Sequence, residues 1–315
     1  MWRNYLLLAW RNAFASWTHS VVNIVGLSVG LASCILILLF VQHQRSYESW
    51  LPASDRVAQL QTVMDDPDEG PVVSARAARP AAAALADSFP EVEASVAMTF
   101  SRVLLKRGDD WSFSELYFVD PTFLRVFDFR LVRGDRASAL AAAGSAVLTE
   151  SEAIRQFGTT DVVGRTLTIN SRGNVTDLRI TGVLRDLPEN THLRFSIVTP
   201  FDAATLGAHE SEFRSWSRLY GYVYARLRSA DDVVAVNARL GSLIERHVDR
   251  DERPYPSALR LVPIRDVHLG GAREDSMRPA GDALAVSAFA AIALLILLIA
   301  CMNFANLATI GRARV

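Results

Sequence analysis

The sequence predicts a membrane protein made of two transmembrane helices and an α+β extracytoplasmic domain in two lobes. Of the 315 residues, 50% are hydrophobic, and the apolar residues concentrate near the two ends of the chain. Each end holds an uncharged apolar run long enough to cross a hydrocarbon core, which takes about 20 helical residues. Between these runs, strand-like and helix-like patterns follow one another in mixed order, as is typical of an α+β domain.

The segment ahead of the first apolar run has the pattern of an amphipathic helix. Apolar and aromatic residues recur there at helical spacing, at Trp2, Leu6, Ala9, Trp10, Ala13 and Trp17. Arg3 and Arg11 fall on other faces of such a helix. We therefore predict an interfacial amphipathic helix over residues 1–20, with its tryptophans at headgroup depth. A simple extension of the first span is the alternative.

Residues 21–42 and 283–310 are predicted to be the two transmembrane helices, because both are long, apolar and free of formal charge. Cationic residues near the ends of spans favour the cytoplasmic side. Such residues precede the first span and follow the second, at Arg3, Arg11, Arg312 and Arg314. Both termini should therefore be cytoplasmic.

With both termini inside, residues 43–282 must lie outside, since a loop of that length is translocated largely regardless of its own charge. Residues 311–315 then begin a cytoplasmic segment. Both cysteines, Cys34 and Cys301, lie in the spans. The outer domain is therefore expected to contain no disulfide, no thiolate metal site and no cysteine nucleophile.

Three motifs in the first span have competing interpretations. The segment from Gly26 to Gly30 matches the serine-hydrolase elbow, but that motif needs a strand–turn–helix context. We interpret Gly26 and Gly30 as helix-packing residues of a G-x-x-x-G pattern, with ordinary span composition as the alternative. A cleavable signal peptide is disfavoured because no small-residue cleavage site follows Gln42. A lipoprotein box ending at Cys34 is disfavoured because the apolar run continues beyond it.

The outer region contains alternating strand and helix patterns. Strands are predicted over Arg56–Met64, Val96–Leu105, Trp111–Val119, Arg165–Asn170, Leu178–Leu184, Tyr220–Leu227 and Ser257–Val262. Helices are predicted over Ala75–Ser88, over a segment ending at Phe157, and over Asp231–His247. The middle helix carries the clearest signals, because Thr149 and Glu152 fit a capping box and Gly158 follows its last turn.

Few residues indicate chemistry. The only lysine, Lys106, is not part of a phosphate-binding loop, and no H-E-x-x-H motif occurs. The acidic run from Asp65 to Gly70 lacks the ligand spacing of a calcium loop. A formal net charge of −1 argues against a nucleic-acid partner. We therefore predict no catalytic, cofactor-binding or metal-binding residues, and expect that the chain is not an enzyme.

Four stretches in a fixed order carry a family resemblance: Tyr5–Gly30, Leu148–Ile169, Ile180–Phe195 and Ile292–Thr309. Together with the layout of the spans, they resemble the FtsX-like permease family of ABC transporters, with a MacB-like periplasmic core domain over residues 43–282. The family motif positions are Leu187, Pro188, Asn190, Thr191, His192, Asn303 and Asn306.

The resemblance implies a permease subunit, or an N-terminal fragment of one. Such a subunit couples a cytoplasmic ABC ATPase, which is a separate chain or in some members is fused to the permease, to movement of a periplasmic domain, for export or extraction of a substrate. The implied partners are that ATPase, a second permease protomer or half, and the lipid bilayer. The implied location is the cell inner membrane. Family members have at least four spans, so a truncated permease or the first part of a longer one is expected.

The segment Asp186–His192 has two interpretations. Turn chemistry accounts for its composition, with Pro188 fixing the backbone and Asn190 or Thr191 capping the residues after the turn, and this interpretation is favoured. A contact or transmission loop is the functional alternative.

Two other classes of protein share the predicted topology. One is a two-span sensor with a periplasmic ligand-binding domain, which would carry a signalling module after the second span. The other is a membrane anchor that recruits soluble partners. The loop at Leu187–His192 and the region Asn303–Asn306 favour the permease.

Overall fold

Residues 17–66, 70–248, 256–270 and 274–312 are described by a computed structural model of the chain. The helices are α1 (Trp17–Arg45), α2 (Pro80–Ser88), α3 (Phe123–Phe127), α4 (Glu150–Phe157), α5 (Ala203–Leu206), α6 (Asp232–Asn237), α7 (Gly241–His247), α8 (Val267–Gly270) and α9 (Ala283–Arg312). The strands are β1 (Val57–Asp66), β2 (Gly70–Ser74), β3 (Val92–Arg107), β4 (Asp110–Val119), β5 (Leu131–Gly134), β6 (Ser145–Thr149), β7 (Thr166–Ser171), β8 (Asn174–Leu184), β9 (Ile197–Pro200), β10 (Gly221–Leu227) and β11 (Pro256–Pro263).

The helices α1 and α9 form one unit, and Ser46–Gly281 form a second unit, the outer domain. Each long helix contains 22 residues, Ile24–Arg45 and Ala283–Phe304, that are apolar enough to cross a membrane. Most of these side chains are exposed, as is expected of residues that face lipid. The two predicted transmembrane helices are confirmed.

The two long helices are in direct contact. The Cys34 thiol donates a hydrogen bond to the Ala293 carbonyl oxygen over 3.5 Å. The rings of Phe40 and Phe289 meet edge to face with their centroids 5.5 Å apart. The predicted interfacial helix lies mostly outside the described residues, since the description begins at Trp17, where α1 begins. Of the predicted cytoplasmic segment, residues 313–315 also lie outside the described range.

The outer domain is built on one mixed sheet. Its hydrogen-bonded order is β11-β1-β10-β3-β4-β9-β6-β8-β5, with β2 paired to β1, and β7 paired to both β3 and β8. The pairs β4–β9 and β6–β8 are parallel, and the remaining pairs are antiparallel. The α+β prediction is confirmed. Because the described strands join in one sheet, the structure does not resolve the two predicted lobes as separate units.

Three groups of buried apolar side chains pack against this sheet. The first contains a cluster of aromatic rings around Phe123, which is fully buried. Its ring centroid lies 5.3 Å from that of Phe127, 5.3 Å from that of Phe129 and 5.5 Å from that of Phe195. Tyr224 of β10 adds a further ring, 5.0 Å from Phe127. Aromatic clusters of this kind contribute stability through buried area and edge-to-face contacts.

Local sequence signals explain several element boundaries. The Thr149 hydroxyl caps α4 by accepting a hydrogen bond from the Glu152 amide, and Gly158 ends the helix with φ 72°. The Thr149 cap and the glycine stop are confirmed, but the second half of the predicted capping box is not formed. The Glu152 carboxylate accepts from Arg155 and Gln156, and the Thr149 amide donates to the Ser196 carbonyl oxygen. The predicted helix Asp231–His247 is divided into α6 and α7. At the division, the Asn237 side chain donates to the Leu261 carbonyl oxygen and accepts from the Leu261 amide of β11. The Asn237 side chain therefore joins the end of α6 to β11.

Candidate functional site

The loop Asp186–His192 lies between β8 and β9 in the chain. It contains no helix or strand. Its first residue is anchored at the start of α4, because the Asp186 carboxylate accepts hydrogen bonds from the Ser151 amide (2.8 Å) and from the Ser151 hydroxyl. The Thr191 hydroxyl accepts from the Leu193 amide over 3.2 Å, a local bond typical of a turn. Turn chemistry is thus present, but it involves only part of the loop.

Asn190 connects the loop to the stretch that comes after α1. Its side-chain amide donates to the carbonyl oxygen of Ser46 (2.9 Å) and approaches the Ser46 hydroxyl (3.0 Å). In return, the Glu48 amide donates to the Asn190 carbonyl oxygen over 3.1 Å. Asn190 therefore binds a distant segment of the chain instead of capping the residues after it.

The carboxylate of Glu48 is the centre of the contact. Glu48 is 0% exposed, and its Oε1 accepts from the Thr191 hydroxyl (2.6 Å) and from the His192 amide (2.7 Å). The Nδ1 atom of His192 also lies 3.0 Å from this oxygen, although without hydrogen-bond alignment. A carboxylate removed from water is strongly disfavoured unless donors surround it. The loop supplies donors to Oε1, whereas Oε2 is buried and has no hydrogen-bond partner among the described residues.

The polar contacts continue from His192 into the sheet. Its Nε2 lies 2.9 Å from the Tyr224 hydroxyl, which also accepts from the Gln59 side-chain amide over 3.1 Å. Gln59 accepts from Gln61, which in turn accepts from the Arg260 guanidinium. Burial raises the pKa of the Tyr224 phenol well above its ordinary value, so the hydroxyl keeps its proton. A continuous polar chain thus runs from Glu48 across β10 and β1 to β11.

The stretch that precedes α9 binds the same loop. The Arg278 guanidinium donates to the Glu189 carbonyl oxygen over 3.0 Å. Next to it, the Met277 sulfur accepts from the Arg194 amide, just beyond the loop. Asp275 is held by Tyr222, whose hydroxyl donates to the Asp275 carbonyl oxygen over 2.8 Å. The two chain stretches adjoining the spans in sequence therefore both hydrogen-bond to Asp186–His192.

The other family motif positions fall in two places. Leu187 and Pro188 are half-buried, and both line a cavity beside the loop. Asn303 is exposed on α9, and Asn306 lies in the same helix. The five loop positions are thus brought together as one contact region, and Asn303 and Asn306 belong to the unit of the long helices.

The two predicted helix-packing glycines differ in their surroundings. A Cβ atom added at Gly30 would lie 3.7 Å from the Cγ2 atom of Ile296 on α9, an ordinary van der Waals distance. A Cβ atom added at Gly26 would meet no heavy atom within 4 Å. Gly30 therefore lies against α9, and the packing role of the pair stays a prediction.

Sequence reasoning missed Glu48, Tyr224 and Gln59. The sequence does contain a signal for Gln59, because Gln59 and Gln61 interrupt an otherwise apolar strand. In the structure both side chains are nearly fully buried. Polar residues in such positions need internal partners. Nothing local distinguishes Glu48 from any other acidic residue after a span. In the described ranges, no three His, Cys, Asp or Glu side chains come together as a metal site.

Similarity to known proteins covers most of the chain. The sequence model of the family described as MacB-like periplasmic core domain matches residues 20–243, more than half of the chain. No curated protein matches.

Solved structures with similar folds come from several bacteria. A domain assigned to a permease protein of Porphyromonas gingivalis is 24% identical, with a TM-score of 0.53 over 68% of this chain and 91% of that one. The periplasmic region of MacB from Actinobacillus actinomycetemcomitans is 15% identical, with a TM-score of 0.46 over 67% and 90%. The extracellular domain of the noncanonic ABC-type transporter YknZ from Gram-positive bacteria is 15% identical, with a TM-score of 0.45 over 65% and 99%. The first likeness shows the fold.

Proposed function

Because the chain belongs to the MacB-like periplasmic core domain family of ABC transporter permeases, we propose that it is the permease subunit, or the N-terminal part of one, of an ABC transporter. The match over residues 20–243 carries this proposal. Permeases of this family are not themselves catalytic, so ATP hydrolysis belongs to a cytoplasmic ABC ATPase. A second permease protomer or half completes the assembly in the lipid bilayer.

The proposed location is the cell inner membrane, with both termini cytoplasmic. The proposed segments are an interfacial helix at 1–20, spans at 21–42 and 283–310, a periplasmic core domain at 43–282, and the start of a cytoplasmic segment at 311–315. The uncharged spans and their arginine flanks support this arrangement.

We propose that the loop Asp186–His192 passes movement of the spans to the outer sheet during export or extraction of a substrate. The support is a pair of contacts, Asn190 with Ser46 and Arg278 with the Glu189 carbonyl. A loop hydrogen-bonded to both stretches responds when either one moves. The chain from His192 to Tyr224 then continues into the central strands. Packed elements of this kind move in discrete steps because their contacts resist continuous deformation.

The central test is co-purification. The full natural reading frame carrying an affinity tag is extracted from membranes in mild detergent, and bound proteins are identified by mass spectrometry. We expect an ABC ATPase to be recovered with ATP-hydrolysing activity, because the permease supplies none. An unrelated two-span protein with the same tag is the control. Repeated recovery of the intact natural chain without an ATPase would contradict the permease proposal and favour a membrane sensor with a periplasmic ligand-binding domain.

The topology is tested by thiol labelling in a cysteine-free background made by Cys34→Ser and Cys301→Ser. Single cysteines at Gly173 and Gly311 are exposed to a membrane-impermeant maleimide in intact spheroplasts. We expect Gly173→Cys to react and Gly311→Cys to react only after permeabilisation, because the outer domain should face the periplasm. Labelling of Gly311→Cys but not Gly173→Cys in intact cells contradicts the topology.

Two further variants control for accessibility within the outer domain. Phe113 is 76% exposed, so Phe113→Cys should react as fast as Gly173→Cys in intact spheroplasts. Ala58 is fully buried in β1, so Ala58→Cys should stay unlabelled until the protein is denatured. The two controls separate membrane sidedness from burial.

A further inference from the structure

A cavity of about 460 Å³ lies beside the loop Asp186–His192. Its apolar wall includes Trp50, Phe129, Leu187 and Pro188. The Trp50 and Phe129 rings are stacked with centroids 6.0 Å apart. The volume is within the range of about 300–1,000 Å³ that is typical of small-molecule sites. An apolar group of a ligand would be removed from water there.

The charged residues around this cavity are unequally paired. Both of its carboxylates are already engaged, Asp128 by an ion pair with Arg136 and Asp186 by the amide and hydroxyl of Ser151. Arg130 and Arg185 are exposed, and among the described residues neither guanidinium has a hydrogen-bond or ion-pair partner. The cavity therefore presents two guanidinium groups without partners in the described part of the chain, whereas Asp128 is ion-paired and Asp186, which has no ion pair there, has both oxygens bonded to Ser151.

The two arginines lie next to each other. The Arg185 amide donates to the Arg130 carbonyl oxygen over 3.4 Å, at the point where β8 meets the start of β5. Guanidinium groups bind carboxylates, sulfates and phosphates through paired hydrogen bonds. Two of them beside an apolar wall match a ligand with an anionic head and an apolar body.

We propose that this cavity binds an anionic amphiphile, with its apolar group against Trp50 and Leu187 and its head group held by Arg130 and Arg185. A bound amphiphile would touch the stretch after α1 in sequence and the family loop at once. It would therefore act on the segment proposed to transmit movement. The binding itself does not depend on an ATPase partner, so its test stands or fails separately from the proposed function.

The test uses the full chain in nanodiscs of zwitterionic phosphatidylcholine, labelled with 5-fluorotryptophan and observed by ¹⁹F NMR. Loss of one signal in Trp50→Phe assigns Trp50, and Trp216→Phe assigns a reference that does not line the cavity. The probes are hexyl phosphate, hexanol and inorganic phosphate. We expect hexyl phosphate to shift the Trp50 signal saturably and to leave Trp216 in place. Hexanol and inorganic phosphate should each bind at least about tenfold more weakly, because each lacks one half of the recognised chemistry.

A charge variant tests the assignment of the head group. The double variant Arg130→Ala/Arg185→Ala should weaken hexyl phosphate binding by about tenfold or more. Arg102→Ala is the matched control, because Arg102 is an exposed arginine that does not line this cavity, and it should bind as the parent does. If the Trp216 signal shows that the double variant is misfolded, Arg130→Lys/Arg185→Lys keeps the charge and should weaken binding through loss of the paired bonds.

Each remaining outcome overturns the proposal. Absence of a saturable Trp50 shift means that the cavity binds no such ligand. Equal affinity for hexanol and hexyl phosphate means an apolar cavity without anion recognition. Equal affinity for inorganic phosphate and hexyl phosphate means a site for free anions. Unchanged binding in the arginine double variant removes the assigned head-group contact.

Discussion

Replacing Glu48 by alanine is expected to lower the free energy of unfolding of the outer domain by about 3–5 kcal/mol. The change leaves the Thr191 hydroxyl and the His192 amide buried without an acceptor, and each unsatisfied buried donor costs about 1–3 kcal/mol. It also removes the carboxylate that faces His192 Nδ1. The measurement is urea denaturation of the full chain in detergent, followed by tryptophan fluorescence.

Two variants sharpen this result. Glu189→Ala removes an exposed carboxylate from the same loop, and the loop's bond to Arg278 uses only the Glu189 carbonyl oxygen. Its effect should stay within about 0.5 kcal/mol. Glu48→Gln retains one side-chain oxygen as an acceptor and should lose less than Glu48→Ala. Equal stability of Glu48→Ala and Glu189→Ala would show that the buried contact does not stabilise the domain.

Phe123→Ala is expected to destabilise the outer domain by a similar amount, about 3–5 kcal/mol. Phe123 is fully buried and touches three other phenylalanine rings, so truncation leaves a cavity that its neighbours fill only in part. The same denaturation experiment measures the loss.

Phe113→Ala is the matched control for this substitution. Phe113 lies on β4 and is 76% exposed, so its truncation removes little buried area and should change stability by less than about 0.5 kcal/mol. A loss in Phe113→Ala as large as that in Phe123→Ala would contradict the burial assigned to the two rings.

Elements with strong local signals could be predicted from the sequence. The two apolar runs indicated both transmembrane helices, because a span depends only on length and hydrophobicity. The predicted strands Val96–Leu105 and Trp111–Val119 correspond to β3 and β4, which pair as a hairpin whose turn contains Gly108 with φ 60°. The short strands β6 and β9 were missed. All their residues are buried, so neither shows the alternating pattern that marks a half-exposed strand.

The candidate site was only half predictable. The loop Leu187–His192 could be recognised because its residues are adjacent in the chain. Its partner Glu48 lies 143 residues before Thr191, and only the sheet topology brings them together. Asn190 shows the same limit. The composition of its segment indicates a turn, whereas the Asn190 side chain bonds to Ser46. Local propensity has no information on contacts of such sequence separation.

The buried contact at Glu48 also has a consequence for biosynthesis. During synthesis, Ser46–Leu51 emerges with the first span, but Thr191 and His192 emerge only about 140 residues later, and Tyr224 later still. Strand β1 can pair early only with β2, over Thr62–Asp66, because its other sheet neighbours β10 and β11 come near the end of the domain. At ribosomal rates of about 5–20 residues per second, this delay lasts on the order of ten seconds or more. A nascent chain tethered by its first span therefore leaves the Val57–Leu60 part of β1 without its β10 partner for that time, and holding chaperones would act on the chain in this interval.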